Sequence, residues 1–495
     1  MSSTRQYVAL DLGAESGRAV VGRFDGERLH LEQVHRFANG PVQVVNSLYW
    51  DILYLWREIK EGLARCAAAV GKIDALGVDA WAIDYGLLDE RNVLLGNPYC
   101  YRDSRTDGMV AEVLKSVPAD EVYRTISNPP QLQITTLCQL LSEVRAGSPA
   151  LAAARTLLTI SDLLNFWLSG QKVIEFTRTI NTQCYNPVTR AWATNILEPL
   201  GIPAHIFPPV VPSGTVLGDL LPGVAEETRL GAVPVVATAC HDSAAAVIAV
   251  PTREADYLFL SSGTWSVLGT EIDAPYISPE GPPGDLWNEG GAQGNIRFTS
   301  NVMGLWLVQE CRRLWASQGE TYSYDELTEM AAAGTPFASL IDPNDARFLA
   351  PGDMPGRVQA FCQETGQPVP TSKPDILRCI LESLALKYRQ GMEQIEAVLG
   401  RKMAVVHIVG GGIQNRLLCQ FTANAMRLPA IAGPVEATAL GNIIMQAIGL
   451  GHLTSVQEGR ELVRASVELA HYEPDPQRAA AWEDAYERFL TIAQP

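Results

Sequence analysis

Apolar residues come in short runs, each closed by Gly, Ser or Asp, and the spacing within the runs changes along the chain. Tyr7 to Leu10 is apolar and ends on Asp11, a turn over Gly13-Ala14-Glu15-Ser16-Gly17 follows, and a second strand is predicted from Arg18 to Phe24. Asp25-Gly26 is a two-residue hairpin signal, after which Leu29-His30-Leu31-Glu32 alternates as a third strand. From Asp51, a good N-cap, apolar residues recur at Ile52, Leu55, Trp56, Ile59, Leu63, Cys66 and Val70, the pattern of one buried helix face. A strand over Ala75 to Asp79 comes next. Strands first antiparallel, then alternating with helices, predict a mixed α/β sheet.

The second half repeats this opening. Tyr257-Leu258-Phe259-Leu260 runs into Ser261-Ser262-Gly263-Thr264 and then Trp265 to Gly269, so a shift of 250 residues lays Tyr7 on Tyr257, Gly13 on Gly263 and Ser16 on Ser266. An internal duplication is the simplest reading. Leu377, Leu381, Leu384, Tyr388, Met392, Ile395 and Leu399 form a long buried stripe, with Pro374 near its start and Gly400 just past its end. Val405 to Val409 is a strand, Gly410-Gly411-Gly412 a turn, and a helix starts near Asn415. A boundary near Pro251 to Asp256 gives lobes over 1–250 and 251–455, with a helical tail over 456–495. The expected architecture is α/β, two similar lobes with a cleft between them.

Composition narrows the function. The chain has 495 residues, 47% hydrophobic and 19% charged, enough apolar content for sizeable cores and too much for disorder. Lys and Arg number 38 against 55 Asp and Glu, a net charge of −17 that argues against nucleic acid as a partner. No run reaches the roughly 18 apolar residues of a membrane span, and the start carries no secretory apolar region, so a cytoplasmic protein is expected. Nine cysteines without a C-x-x-C pair fit reduced thiols and exclude common zinc-finger spacings, with a Cys362–Cys379 bridge left open.

There is no G-x-x-x-x-G-K-[ST], no H-E-x-x-H and no G-x-S-x-G, and the run Gly410 to Asn415 ends in Asn where a dinucleotide fingerprint needs Gly or Ala. What remains is a set of Gly/Ser turns after strands. Asp11-Leu-Gly13-Ala-Glu-Ser16-Gly17-Arg18 sets a carboxylate beside small residues whose amides suit a phosphate, although an ordinary hairpin needs little else. Val233 to Cys240 delivers His241-Asp242-Ser243 to a strand end before an Ala-rich helix. There Asp242 is either a helix cap or a general base with His241 beside it to bind a hydroxyl. Asp79-Ala-Trp81-Ala82-Ile-Asp84 sets an aromatic ring among carboxylates, as a sugar pocket or a core tryptophan would. Asn301, before Val-Met-Gly-Leu-Trp, is placed to open a helix.

Together these stretches resemble the FGGY carbohydrate kinases over most of the chain. The resemblance rests on DLGAESGR (11–18), YRDSRT (101–106), HDSA (241–244), LSSGTWS (260–266), NVMGLWL (301–307) and HIVGGGIQN (407–415), while NEGGAQG (288–294) and GPVEATALGN (433–442) point to the L-rhamnulose branch. It implies lobes of the actin/hexokinase (ribonuclease H-like) type closing over ATP, Mg²⁺ and a sugar, and phosphorylation of L-rhamnulose in L-rhamnose catabolism. L-fuculose and L-xylulose are the alternative sugars, and a monomer or weak homo-oligomer is expected. By resemblance Asp242 is the proton acceptor, His241, Ser243, Ala82 and Asn301 contact the sugar, Ala14, Glu15, Ser16, Gly17, Arg18, Thr264, Gln309 and Gly411 contact the nucleotide, and Asp11 faces the metal. Ala82 stands where the family often has Gly.

Overall fold

The computed structural model describes residues 4–493; residues 1–3, part of the stretch read for an export signal and of the first expected lobe, and 494–495, the end of the expected tail, lie outside the described residues. Strand β1 (Arg5–Leu12) is buried from Tyr7 onward and apolar on both faces for a structural reason. Val8, Leu10 and Leu12 enter a core shared with helix α1 (Ile52–Val70), while Tyr7 and Ala9 enter a second core that joins the two halves. The Asp51 carboxylate caps α1 by accepting from the Tyr54 N–H at 3.1 Å, and Gly71 ends it at φ 74°.

The first sheet adds β2 (Ser16–Phe24), β3 (Leu29–Ala38), β4 (Ala75–Ala80), β5 (Thr215–Asp219) and β6 (Pro234–Ala237), in the order β5-β6-β4-β1-β2-β3. The β2–β3 connection is wider than a two-residue hairpin. Phe24 pairs with Leu29, and the Asp25 carboxylate accepts from the amides of Glu27 (2.8 Å) and Arg28 (2.7 Å), holding a four-residue loop. The second sheet contains β7 (Tyr257–Ser262), β8 (Ser266–Ile272), β9 (Leu286–Gly290), β10 (Ile296–Val302), β11 (Val405–Val409), β12 (Ala430–Ala432) and β13 (Ala470–Tyr472), in the order β9-β10-β8-β7-β11-β12-β13.

Laid side by side, β3-β2-β1-β4-β6-β5 and β10-β8-β7-β11-β12-β13 share every direction: two antiparallel pairs, two parallel pairs, one antiparallel pair. The duplication is therefore topological. The shift of 250 holds only as far as the first turn, because Leu12 faces Gly17 whereas Ser262 faces Ser266. The second turn is one residue shorter, and Ser266 stands where Gly17 does, not Ser16. Asn301 lies on β10, not at a helix start. The helix opens later, as α3 (Trp306–Ser317), because the Leu305 and Trp306 amides donate to the Gly263 and Thr264 carbonyls at 3.0 and 3.1 Å. Past residue 455 the chain is not purely helical, since β13 joins the second sheet.

The long stripe is α4 (Lys373–Leu399), capped by Ser372 and closed by Gly400 at φ 65°. Among the described residues no helix is long and apolar enough to cross a membrane. All nine cysteines are free and buried, Cys362 and Cys379 among them.

Two helices cross between the halves. Helix α2 (Asp242–Ile248) leaves the first sheet, and the helix Ala437–Gly449 of the second half lies against it. A carbon added to Gly441 would sit 1.8 Å from the Ala245 carbonyl oxygen, a backbone atom that cannot swing aside. Gly441→Ala should lower stability by about 1–3 kcal/mol through overpacking, read as a lower midpoint in thermal or urea unfolding. An unchanged midpoint would show that the helices slide apart freely.

Candidate active site

Three strand ends of the first sheet converge. Asp11 of β1 lies beside Asp79 of β4 in parallel register, and Ala80 bridges to His241, the residue between β6 and α2. Asp242 keeps 30% of its side-chain surface open. One of its oxygens accepts from the Ser243 backbone N–H at 2.6 Å and the Ser243 hydroxyl at 3.1 Å. Burial first, and then the Asp11 charge, push its pKa up to about 6. Asp79 is fully buried, and the same two causes hold it well above the ordinary carboxylate range. Its Oδ2 accepts from Asn442 at 2.6 Å, while Oδ1 has no hydrogen-bond partner among the described residues. Arg18 ion-pairs with Asp11 and with Glu436 of the other half. Two adjacent carboxylates, one with an orphaned oxygen, suit a hydrated divalent cation.

His241 is held from both lobes. Its backbone N–H donates to Thr177 Oγ1 at 3.1 Å, and its ring Nδ1 lies 3.0 Å from the Arg297 guanidinium of β10. Burial, then Arg297 and Arg178, hold its pKa well below the ordinary imidazole value, so the ring is neutral. Arg178 is 1% exposed and donates to the Ala80 and Trp81 carbonyls at 2.9 and 2.7 Å. This fixes the segment that presents Ala82. The next residue, Ile83, sits at φ 70°, a costly conformation for a β-branched side chain.

Arg178 and Arg297 were missed in the sequence reading; the available signal was an arginine flanked by apolar or small residues beside a strand. For Trp81 the structure favours the core tryptophan of the two readings above. It is 5% exposed, packs on Trp50 at 4.3 Å, and donates to Asp84, which also accepts from Trp50 Nε1 and Gln139 Nε2. One face of that ring is covered by Trp50. Asn301 follows Arg297 by four positions on β10, so the two share a face of the strand.

Thr264, Gln309 and Gly411 meet in the second half, lining a cavity of about 300 Å³ with Leu305, Tyr324 and Leu377. The bonds that start α3 at the Gly263 and Thr264 carbonyls bring Gln309 to the cavity. Gly410 and Gly412 are small because Ser262 presses on them, whereas Gly411 has open space where a side chain would be. The turn Ala14 to Gly17 is braced by Asn39, whose amides donate to the Gly13 and Glu15 carbonyls at 2.7 and 3.0 Å. A carbon on Gly17 would meet the Phe37 ring at 2.2 Å.

The chain matches the FGGY family of carbohydrate kinases in two stretches, the N-terminal domain over residues 6–249 and the C-terminal domain over 258–450. It is 41% identical over 485 residues to a rhamnulokinase of Bacteroides thetaiotaomicron, covering 98% of this chain and 99% of that one. Against a rhamnulokinase of Enterococcus faecalis the identity is 39% over 475 residues, covering 95% of each. Among solved structures, a ligand-bound xylulose kinase from Lactobacillus acidophilus superposes with a TM-score of 0.83 at 16% identity, covering 99% and 97% of the two chains. A gluconate kinase from the same organism gives 0.82 at 17%, covering 99% and 98%.

The Asp242 environment is directly testable. In protein carrying ¹³C-labelled aspartate carboxyls, the signal that Asp242→Asn abolishes should titrate near pH 6, about two units above an exposed aspartate. A midpoint near 4 would mean that the carboxylate is solvated like a surface group.

Proposed function

Since the chain belongs to the FGGY family of carbohydrate kinases, we propose that it transfers the γ-phosphoryl group of ATP to the primary hydroxyl of L-rhamnulose, forming L-rhamnulose 1-phosphate. The full-length likeness to rhamnulokinases supports the choice of sugar. The observation that carries the chemistry is Asp242, a carboxylate with 30% of its side-chain surface open and a pKa raised to about 6, next to a neutral histidine.

On this reading residues 1–250 bind the sugar and the phosphates and carry the base, 251–455 bind the nucleotide, and 456–495 form the C-terminal tail. The enzyme works in the cytoplasm as a monomer or weak homo-oligomer. Asp242 accepts the hydroxyl proton as phosphorus is attacked, and at pH 7 most of it is in the basic form. His241 and Ser243 orient the sugar beside it, the 80–82 backbone with Ala82 forms one wall, and Asn301 supplies an amide from the second lobe. Ala14 to Arg18 and Thr264 grip the phosphates, with Gln309 and Gly411 at the adenosine. Asp11, with Asp79 beside it, would hold Mg²⁺ through water. When bound, the ion neutralises charge on the phosphate oxygens.

ADP release with Mg-ATP should be fastest on L-rhamnulose among L-rhamnulose, L-fuculose, L-xylulose, D-xylulose and glycerol. Asp242→Asn should cost about 10²–10⁴ in kcat, the usual worth of a positioned base, with ATP binding kept. Another leading sugar would displace the substrate, and no turnover from protein that binds ATP would leave a sensor. Because the base must be deprotonated, kcat/KM should fall as pH drops through about 6 and level off above; a profile flat down to pH 4.5 would remove Asp242 from the role. Gly411→Leu, which pushes a side chain into the cavity, should raise the KM for ATP at least tenfold and leave that for sugar nearly unchanged. Equal effects on both would separate the cavity from the nucleotide.

A further inference from the structure

Arg297 lies on a C-lobe strand, yet its guanidinium ends on the ring of an N-lobe histidine. It is 1% exposed, pairs with Glu289 at 2.7 Å, donates from Nε to the Gly290 carbonyl at 3.0 Å, and approaches His241 Nδ1 at 3.0 Å. The β9–β10 hairpin that carries it is seated tightly, since a carbon on Gly290 would meet the Phe176 carbonyl oxygen and Thr177 Cα at 2.9 Å. Thr177 is also the residue whose hydroxyl accepts the His241 backbone N–H. The hairpin therefore grips the segment that fixes His241 from behind, while its arginine fixes the ring from the side.

A guanidinium has donors and no acceptor. Nδ1 must then present its lone pair, and the single proton of a neutral ring has to sit on Nε2. That nitrogen is 3.4 Å from Ser243 Oγ and 3.5 Å from Asp242 Oδ1, the place where an acceptor hydroxyl would meet the base. We infer that Arg297 is a positioning residue: from the second lobe it sets the tautomer and orientation of His241, so that Nε2–H donates to the sugar while Asp242 remains free to take a proton. The inference rests on the sugar-kinase reading above. It also assigns work to the N-E-G-G stretch, whose Glu289 and Gly290 hold the guanidinium. The cation beside the ring, together with burial, keeps the histidine from protonating and so from ion-pairing with the base.

The test uses the full chain carrying ¹⁵N-labelled histidine, with the His241 signals identified by their loss in His241→Gln. The wild-type ring should be neutral and Nε2-protonated at pH 7; an Nδ1-protonated or charged ring overturns the proposal before any variant is made. Arg297→Met should mix the tautomers and lower kcat/KM for the sugar about 10- to 100-fold, by analogy with partners that orient metal-bound histidines, with the KM for ATP within about twofold. Arg297→Lys, still a donor without an acceptor, should keep the Nε2–H tautomer and recover part of the loss. In a His241→Gln background, Arg297→Met should cost less than about threefold more, because residues acting through one another are not additive. A full multiplicative loss there, or an unchanged tautomer in Arg297→Met, overturns the inference. Should the single variant misfold by stranding Glu289, the charge-neutral pair Glu289→Gln with Arg297→Met carries the same comparison. Failure of the parent enzyme to phosphorylate any sugar would sink the functional reading and leave the tautomer result standing.

Discussion

Where Gly441 meets Ala245, two backbones approach until no further carbon fits between them, and the reactive centre is built outward from that contact. One helix begins at Asp242. The other is preceded by Glu436, which engages Arg18, and carries Asn442 to Asp79 and Gln446 to the Val8 carbonyl, at 2.6 and 2.9 Å. Each of these groups reaches from one lobe into the other beside that close approach. Ala244 to Val250 and Ala437 to Ala447 supply the small and branched apolar residues that make so close a crossing dry.

The two lobes share a plan and differ in the details that give them different tasks. The first turn keeps the longer loop and its Asn39 brace; the second is a residue shorter, and its carbonyls are used to start α3. The second sheet also carries β9, an edge strand with no counterpart in the first. That strand and its hairpin leave their own lobe. Asn288 exchanges hydrogen bonds with Asn128 at 2.7 and 2.8 Å and donates to the Ser127 carbonyl at 2.7 Å. The added element thus supplies a further tie between the halves, apart from the helix crossing.

Much of this was legible because the signals were local. Asp11 stands at the end of a strand that the apolar runs reveal, and Asp242 and Gly411 each come shortly after one, where turn chemistry restricts what can stand. The helix stripe from Leu377 to Leu399 and the repeat of the opening strands followed from spacing alone. The roles of Arg178 and Arg297 were harder to read, since Arg178 donates to Ala80 and Trp81 and Arg297 reaches His241, all far off in sequence, and an isolated arginine reads first as solvent-facing. Of the two readings left open for Trp81, burial against Trp50 favours the core tryptophan, and no local pattern connects those two residues. Asn301 looked like a helix cap because α3 starts on carbonyls borrowed from a distant turn.

A clamp with a jaw on each of two bodies loosens when either body shifts. His241 is held by Thr177 of the first half and Arg297 of the second, at 3.1 and 3.0 Å, and Asp79 is held by Asn442 of the second half at 2.6 Å. Parting the halves would therefore release the histidine ring and the buried carboxylate together, so the groups around Asp242 keep their arrangement only while both halves are in place.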